Sequence, residues 1–471
     1  MRPADDSHGN PRRSGDQAAA ARDVLTMTAL PSHTDWWRAS PAAADDPTPD
    51  GGLASPRPAS VVPFWALMAF TVILFLSPQS FVPSLASIRI ALIAAAVGIG
   101  AHLLDRLTHH QPVTILPREL QIACALGAWA LLLVPLSLWP GGSLSFLESV
   151  YFKTLAIFWL LINVVTTPAR LIGVVWALSL IAVPLATTAV QHFVAGVIIP
   201  MNIDIKRIVG YDAPLTKNPN DLALILNLIL PLTVALLQME RRAVARGVLV
   251  ASVLFGALGV IVTFSRAGAL ALVTVFLAYL VKLWGRRQRR VAWVALVLVL
   301  LATPFLPSRY FERLETITDI KSDSTGSAQE RVRDIVAGAS YALEHPLVGA
   351  GAGMDRLALN QVRGAKWLVV HNTYLEYAVD LGIPGLAMFL LLLVGSVKCA
   401  TLVRRQTAQV PAFRELFHLA EGLQISLLVF AVAANFQPGG YNLGFYYIAG
   451  LAIALKNVYQ GEARHAAIEA G

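Results

Sequence analysis

Long apolar runs separated by short polar segments dominate the chain from residue 61 onward. Each run is close to the about 20 residues that an α-helix needs to cross about 30 Å of hydrocarbon. The pattern therefore predicts an all-α, polytopic membrane protein with about twelve transmembrane helices. The predicted spans are 61–76, 84–104, 119–139, 151–166, 170–199, 221–238, 246–264, 267–284, 291–306, 379–400, 416–433 and 441–458.

Three polar segments frame or interrupt this region. Residues 1–60 are rich in Ala, Pro, Asp and Arg without hydrophobic periodicity, which predicts a disordered tail. Residues 61–458 form the predicted transmembrane domain, and 459–471 a second short tail. Inside the domain, residues 307–378 form a large loop between predicted spans nine and ten, and a helical pattern runs through part of it.

The composition excludes several classes of protein. The chain has 471 residues, of which 56% are hydrophobic and 14% charged, whereas soluble domains carry about 25% charged residues. The net charge of +8 does not indicate nucleic acid binding, because most basic residues lie in short loops and are not interleaved with aromatic residues. Cys124 and Cys399 fall inside or at the end of apolar spans, which predicts neither a disulfide nor a metal site.

Lys and Arg residues are distributed unequally between the two sides of the predicted domain. With the amino terminus in the cytoplasm, 23 of the 37 fall in cytoplasmic tails, loops and span ends. The opposite side holds 4 in its short loops and 8 in the 307–378 loop, and long loops translocate largely regardless of charge. The positive-inside rule therefore predicts that both termini are cytoplasmic and that the long loop faces outward.

The basic residues that remain on the outer side are candidates for a binding site. Arg207 lies in a short polar loop, Arg266 at a tight turn between two spans, Arg331 in the long loop, and Arg89 near the outer end of its span. An arginine held at a membrane is costly and commonly functional. Because a guanidinium group matches phosphate with two parallel hydrogen bonds, we expect these four side chains to converge on one anionic group.

Four segments carry a resemblance to a known family. They are RIVGYDAPLTKNPNDLA (Arg207–Ala223), TFSRAG (Thr263–Gly268), RVRDIVAGASYALEHPLVGAGAGM (Arg331–Met354) and HNTYLEYAVDLGIPG (His371–Gly385). In this order, and with the long outer loop before His-Asn, the chain resembles the O-antigen ligase and polysaccharide polymerase superfamily of bacterial inner membranes. The motifs span about residues 207–385, and the topology is similar over the whole chain.

The resemblance implies a fold related to the C-type glycosyltransferases and the transfer of a glycan at the periplasmic face. The implied donor is a saccharide on undecaprenyl pyrophosphate. The implied acceptor is a sugar hydroxyl on lipid A–core or on a growing polysaccharide, and the surroundings are the membrane lipids of the inner (cytoplasmic) membrane. No cofactor and no metal are implied.

The resemblance also implies roles for individual residues. Arg207 and Arg266 match the arginines that grip phosphate, Arg331 matches the arginine of the loop, and His371 matches the candidate catalytic base. The family often has a tryptophan four residues after the loop arginine, and this chain has Ile335 there. Arg89, Lys217 and Asn220 complete the predicted substrate-binding set with Arg331.

The residues themselves are consistent with such chemistry. Charge that develops on leaving phosphates is well stabilised by preorganised arginines in a partly dry site, and a histidine suits the removal of a proton from an attacking hydroxyl. One attack opposite the pyrophosphate inverts the anomeric centre. No pair of carboxylates in the sequence indicates a covalent two-step route.

Five of these candidates also have a purely structural interpretation. His371 precedes Asn372 and Thr373, a plausible helix start, so it is also explained as part of a cap. Arg266 is also explained as an interfacial anchor, and Arg331 as part of a solvated helix face. Asn220 belongs to an Asn-Pro-Asn cap of the next span, and Lys217 fits an exposed position in solvent.

Two glycine-containing segments have structural interpretations as well. The run from Gly349 to Gly353 lacks the strand and helix that flank a nucleotide-binding loop, so it predicts a tight backbone turn. Gly382-Ile383-Pro384-Gly385 predicts a kink near the start of the tenth span.

The sequence leaves other functions open. A ligase and a polymerase of the superfamily share the donor chemistry, so the motifs do not separate them. A secondary transporter also has twelve spans, but it typically uses broken helices and acidic groups near the midplane, and the spans of this chain contain few carboxylates. A membrane protein with only a structural role does not explain the outer arginines.

Overall fold

The computed structural model describes residues 60–199, 207–284 and 327–469, together with the isolated positions 289, 290, 293, 296 and 297. The longer helices within these ranges are labelled in chain order. They are α1 Val62–Leu76, α2 Ile90–Thr108, α3 Arg118–Leu132, α4 Pro140–Val164, α5 Pro168–Ala195, α6 Pro219–Met239, α7 Ala243–Val262, α8 Arg266–Trp284, α9 Ser327–Glu344, α10 Asp355–Arg363, α11 Thr373–Thr407, α12 Arg414–Ala433 and α13 Leu443–Glu469. Residues Ser60–Gln460 make up one compact unit, which contains all the predicted site residues.

The all-α membrane fold predicted from the sequence is confirmed. In the described part of the chain, eight helices are long and apolar enough to cross a membrane, by length and composition alone. Eleven of the twelve predicted spans coincide with a helix. The predicted tail 1–60 apart from Ser60, nearly all of the predicted span 291–306, and residues 307–326 of the predicted loop lie outside the described residues. The total of twelve spans therefore stays a prediction.

Some helix boundaries differ from the predicted ones. The second span begins at Ile90 rather than residue 84, because residues 77–89 form short helical turns instead. Helix α11 begins at Thr373, which ends the polar loop earlier than residue 378. The last helix continues to Glu469, past the predicted end at 458. Hydropathy detects the apolar centre of a helix better than its polar ends.

Buried tyrosines join three of the helices in the core. The Tyr151 hydroxyl of α4 lies 3.0 Å from that of Tyr446 in α13, which in turn lies 3.1 Å from that of Tyr377 in α11. Tyr377 also donates to the carbonyl of Gly440 at 2.6 Å. Because buried hydroxyl groups need hydrogen-bond partners, this chain of contacts fixes the loop that leads into α13 against α11.

Helix α11 bends at Gly382, as the sequence predicts. Gly382 has a φ of 68° and a ψ of −175°, and Pro384 has no N–H to donate, so carbonyls of the preceding turn lose their helical partners. The Ala350 N–H donates to the Val379 carbonyl at 2.7 Å. The indole of Trp129 donates to the Leu381 carbonyl at 3.0 Å. Donors from other segments thus form hydrogen bonds with the carbonyls at the kink.

The glycine run turns tightly against this kink. Gly349, Gly351 and Gly353 all have positive φ angles. A Cβ at Gly349 would lie 2.6 Å from the carbonyl oxygen of Asp380, and one at Gly353 would lie 2.5 Å from the ring of Phe146. The N–H groups of Gly351 and Gly353 donate to the carbonyl and the carboxylate of Asp380 at 2.8 and 2.7 Å. Only residues without a Cβ permit this approach.

Candidate functional site

Arg207 and the turn before α8 meet through one asparagine. The Asn220 Oδ1 accepts a hydrogen bond from Arg207 Nη2 at 2.8 Å and another from Ser265 Oγ at 2.8 Å. Asn218 is the N-cap of α6, as its sequence predicts, and accepts from the Asn220 N–H at 2.8 Å. The cap therefore holds Asn220, and Asn220 brings two distant segments of the chain together.

Arg266 follows this turn as the first residue of α8. Only 8% of Arg266 is exposed. The preceding Phe264 has a φ of 51°, a left-handed conformation that is unfavourable for a bulky residue. Ser265 stabilises the turn by accepting from the Gly268 N–H at 3.1 Å. Arg266 is therefore buried at a strained turn, and its role in binding stays a prediction.

A close contact between α6 and α8 sets the position of this turn. A Cβ at Gly268 would lie only 2.6 Å from the Cβ of Ala223. The Asn227 side chain of α6 donates to the Gly268 carbonyl at 3.0 Å. The spacing of these two helices therefore depends on a glycine, and so does the distance from Asn220 to Ser265.

His371 lies beside a buried carboxylate of the long loop. Its Nδ1 lies 3.9 Å from Oδ2 of Asp334, whose side chain is 3% exposed. Asp334 also forms an ion pair with Arg363 at the end of α10. Three segments of the loop, namely α9, α10 and the irregular segment before α11, thus meet around one carboxylate.

The electrostatic surroundings keep His371 neutral. Burial and, next, the positive charge of Arg331 lower the pKa of His371 to about 4. Arg363 acts in the same direction, and Glu330 opposes both. Arg331 and His371 are therefore close enough to interact, as the prediction of a shared site requires. At neutral pH the imidazole carries no proton on one nitrogen and is able to accept one.

The backbone around His371 is fixed on both sides. The Val370 N–H donates to Oδ2 of the buried Asp355 at 2.7 Å. Asn372 is the N-cap of α11 and accepts from the Leu375 N–H at 3.0 Å, as its sequence predicts. Thr373 donates to the Gln437 carbonyl at 2.9 Å. His371 is thus part of a cap, and it is also held in place beside charged groups.

A cavity of about 170 Å³ lies at the same end of α6 as Asn220. Its lining includes Asp221, the residue after Asn220, and Gly439 and Asn442 of the loop before α13. The Gly439 N–H donates to Glu376 at 3.1 Å, in the first turn of α11. The cavity therefore borders the segment that carries Asn220 and a loop that is bonded to the start of α11.

Two predicted residues stay apart from these groups. Lys217 forms an ion pair with Asp212 at 3.2 Å, and its side chain is 72% exposed. The structure therefore agrees with the structural interpretation of Lys217, an exposed position in solvent. Arg89 caps α2 in a left-handed conformation and is exposed. In the described ranges it makes no hydrogen bond or ion pair with another predicted site residue.

Sequence reasoning missed Ser265 and Asp334. Ser265 lies directly before Arg266 in the TFSRAG motif, and a serine at the start of a helix is a recognised cap. Asp334 follows Arg331 by three positions, which places both on one face of a helix. That spacing would have indicated a carboxylate beside the loop arginine.

The spans also contain more buried carboxylates than the sequence suggested. Glu119 lies 3.6 Å from Lys456, and Glu421 lies 3.5 Å from Lys282. Asp380 accepts the N–H of Gly353 as described. Each of these three groups has a partner within the protein, which is typical of structural ion pairs and caps. Buried carboxylates are therefore not scarce in the spans. Because these three are engaged by other groups of the protein, they do not indicate a transporter.

The fold and these contacts define a class of protein. The chain is a multi-pass, all-α membrane protein with arginine and histidine side chains gathered at one end of its helices. Residues 226–390 match the family model described as O-antigen ligase, and this match supports the resemblance to the O-antigen ligase and polymerase superfamily that the motifs indicated. The match includes Arg266, Arg331 and His371, whereas Arg207 and Asn220 precede it. No curated protein matches the chain significantly.

The match to this family model supports a glycan transferase of the ligase or polymerase type. It also implies lipid-linked glycan substrates and a membrane lipid environment.

Proposed function

We propose that the protein transfers a saccharide from undecaprenyl pyrophosphate to a sugar hydroxyl at the periplasmic face of the inner membrane, with both of its termini in the cytoplasm. The observation that carries the proposal is the joining of Arg207 to the Ser265–Arg266 turn through Asn220. This link places Arg207 beside the turn that carries Arg266, at a boundary between polar loops and apolar spans.

The leaving group would be stabilised by these arginines. When the bond from the anomeric carbon to the pyrophosphate breaks, negative charge builds on the leaving oxygen. Guanidinium groups that are already fixed stabilise this charge without reorganising. The hydrogen bond from Arg207 to Asn220 and the burial of Arg266 supply that preorganisation.

His371 would accept the proton of the attacking hydroxyl. As the acceptor oxygen bonds to the anomeric carbon, its proton moves to the imidazole and the pyrophosphate leaves with the electron pair of the broken bond. With a pKa of about 4, His371 is neutral at pH 7 but is a weak base. A bound pyrophosphate would offset the charge of Arg331 and raise this pKa toward neutrality.

Asp334 would act through His371 rather than on the substrate. A distance of 3.9 Å is too long for a hydrogen bond, but a small rotation of the imidazole would bring its Nδ1 within reach. A carboxylate there orients the ring and stabilises the imidazolium that forms after proton transfer. The ion pair with Arg363 fixes Asp334 for this role.

The reaction would be a single displacement that inverts the anomeric centre and needs no metal. Lipid A–core and a growing polysaccharide are both acceptors that present a sugar hydroxyl. The same residues serve a ligase and a polymerase, and the experiment below separates the two.

Strains that lack the chromosomal copy test the proposal when they carry His371→Ala, Arg266→Ala or the exposed control Lys217→Ala. Surface lipopolysaccharide and secreted polysaccharide are run on gels after the membrane level of each variant has been measured. We expect the first two variants to lose one glycan product and the control to retain it. Loss of capped lipid A–core identifies a ligase, and loss of long polymer a polymerase. Normal glycans in all three strains would contradict the proposal, and proton-coupled solute uptake in vesicles would then favour a transporter.

A further inference from the structure

A second cavity lies away from the proposed site. Its volume is about 660 Å³, and it opens between the ends of four helices. It lies at the carboxyl end of α6, whereas Asn220 lies at the amino end. A helix of 21 residues spans about 32 Å, so the cavity and the proposed site are on opposite sides of the membrane domain.

Four arginines lie along the opening of this cavity. They are exposed, they come from two polar segments that are distant in the sequence, and within the described ranges none of them forms a side-chain ion pair. These residues are Arg241, Arg242, Arg246 and Arg414. Two carboxylates, Glu240 and Glu415, also line the cavity, so the opening carries a net positive charge.

Glu240 is engaged by the backbone of the same turn. Its Oε1 accepts the N–H groups of Arg241 and Arg242, each at 2.8 Å. These hydrogen bonds lower the pKa of Glu240. The carboxylate therefore stabilises the turn that presents the two arginines, and the positive charge of Arg242 also lowers its pKa.

Part of the cavity lining is apolar. It includes Ile172 and Trp176 of α5 together with Leu236 and Met239 of α6. Helix α7, which begins beside the opening, presents exposed Val244, Val248 and Phe255 along one face. A ligand with an anionic head and an apolar tail matches this combination of a basic opening and an apolar surface.

We propose that this cavity binds the headgroup of an anionic phospholipid at the cytoplasmic surface of the membrane. The phosphate would lie among Arg242, Arg246 and Arg414, and an acyl chain would follow the exposed face of α7. Basic pockets between transmembrane helices on the cytoplasmic side bind such headgroups, and Trp176 is of the type enriched at the interface. The proposal does not depend on the transferase activity.

Native mass spectrometry of the purified full-length chain tests this site. The protein is titrated with phosphatidylglycerol, with phosphatidylcholine, and with inorganic phosphate as a soluble probe. The test variant is Arg242→Glu/Arg246→Glu, and Arg414→Gln is a milder second variant. Arg405→Glu is the matched control, because it reverses a charge in the last turn of α11 outside the cavity. Thermal unfolding of each variant checks that it folds.

We expect the wild-type protein and the Arg405→Glu control to retain phosphatidylglycerol more tightly than phosphatidylcholine. The apparent Kd for phosphatidylglycerol should rise about tenfold or more in the double variant and a few-fold in Arg414→Gln. Equal retention of phosphatidylglycerol by the wild type and both test variants would overturn the proposal. Equal retention of the two lipids by the wild type would also overturn it. The same holds if the wild type binds inorganic phosphate as tightly as phosphatidylglycerol and the double variant loses this binding.

Discussion

The imidazole Nδ1 of His371 lies 3.9 Å from the carboxylate Oδ2 of Asp334, and the carboxylate also forms an ion pair with Arg363. This arrangement links the candidate base to a residue that the loop keeps buried. It gives Asp334 a position from which to orient the imidazole, and it makes the role of the long loop testable by substitution.

If Asp334 acts through His371, the two substitutions will not be additive. We expect His371→Ala to lower kcat by about 10²- to 10⁴-fold, the range for loss of a general base, and Asp334→Asn to lower it less. In the His371→Ala background, Asp334→Asn should cause no further loss. Steady-state kinetics of the four proteins measures this coupling.

The control for this prediction separates catalysis from folding. Both Asp334→Asn and Arg363→Met break the ion pair between Asp334 and Arg363. Breaking a buried ion pair destabilises a protein by about 3–5 kcal/mol. Only Asp334→Asn removes the carboxylate beside His371. Equal losses of kcat in these two variants would assign Asp334 a structural role alone.

Arg207 and Lys217 lie in the same short segment but differ in their contacts. Arg207 donates to Asn220, whereas Lys217 is mostly exposed and pairs with Asp212. We expect Arg207→Ala to reduce transfer by about 10²-fold or more, as for loss of one preorganised donor, and Lys217→Ala to remain near wild type. Initial rates at matched protein levels test this, and a comparable loss in Lys217→Ala would contradict the division of roles.

The pH dependence of the reaction should reflect Arg331. The charge of Arg331 contributes to lowering the pKa of His371 to about 4. Arg331→Gln removes that charge, so the pKa should rise and the acidic limb of kcat/KM should move to higher pH. Since kcat/KM reports groups of the free enzyme, the apo environment is the relevant one. An unchanged acidic limb would show that His371 is not the titrating base.

The same pKa predicts how stability responds to acid. The folded protein resists protonation of His371 down to pH about 4, whereas an unfolded histidine takes up a proton near pH 6.5. Between these values the unfolded chain binds more protons, so the contribution of His371 to stability falls as the pH falls. In thermal unfolding, His371→Gln should reduce the loss of Tm between pH 7 and pH 5.

Gly268 tests how the arginine turn is positioned. A Cβ at this residue would lie 2.6 Å from that of Ala223, so Gly268→Ala should separate α6 from α8 and reduce both stability and transfer. Adding Ala223→Gly removes the opposing methyl group and should restore part of each. Thermal unfolding and initial rates of the single and double variants measure this. Absence of any rescue would contradict the contact as the cause.

The sequence predicted most of the fold, because membrane-spanning helices are recognised from the length and the apolar composition of each segment. The kink at Gly382 and the caps at Asn218 and Asn372 were also predictable, since each follows from local chemistry. Contacts between distant segments were not. The pattern gave no sign that Asn220 would join Arg207 to Ser265, or that Arg363 would pair with Asp334. It also placed Arg89 with the other arginines, because a one-dimensional pattern does not show which helices pack together.

The most direct test of the central proposal uses purified protein in proteoliposomes with a purified undecaprenyl-pyrophosphate-linked glycan and an acceptor. Release of undecaprenyl pyrophosphate and formation of the glycan product are measured in the same samples. We predict equal molar amounts of both for the wild type and for Lys217→Ala, and losses of about 10²-fold or more for Arg266→Ala and His371→Ala. No release of undecaprenyl pyrophosphate by the wild type, or undiminished release by the latter two variants, would contradict the proposed function.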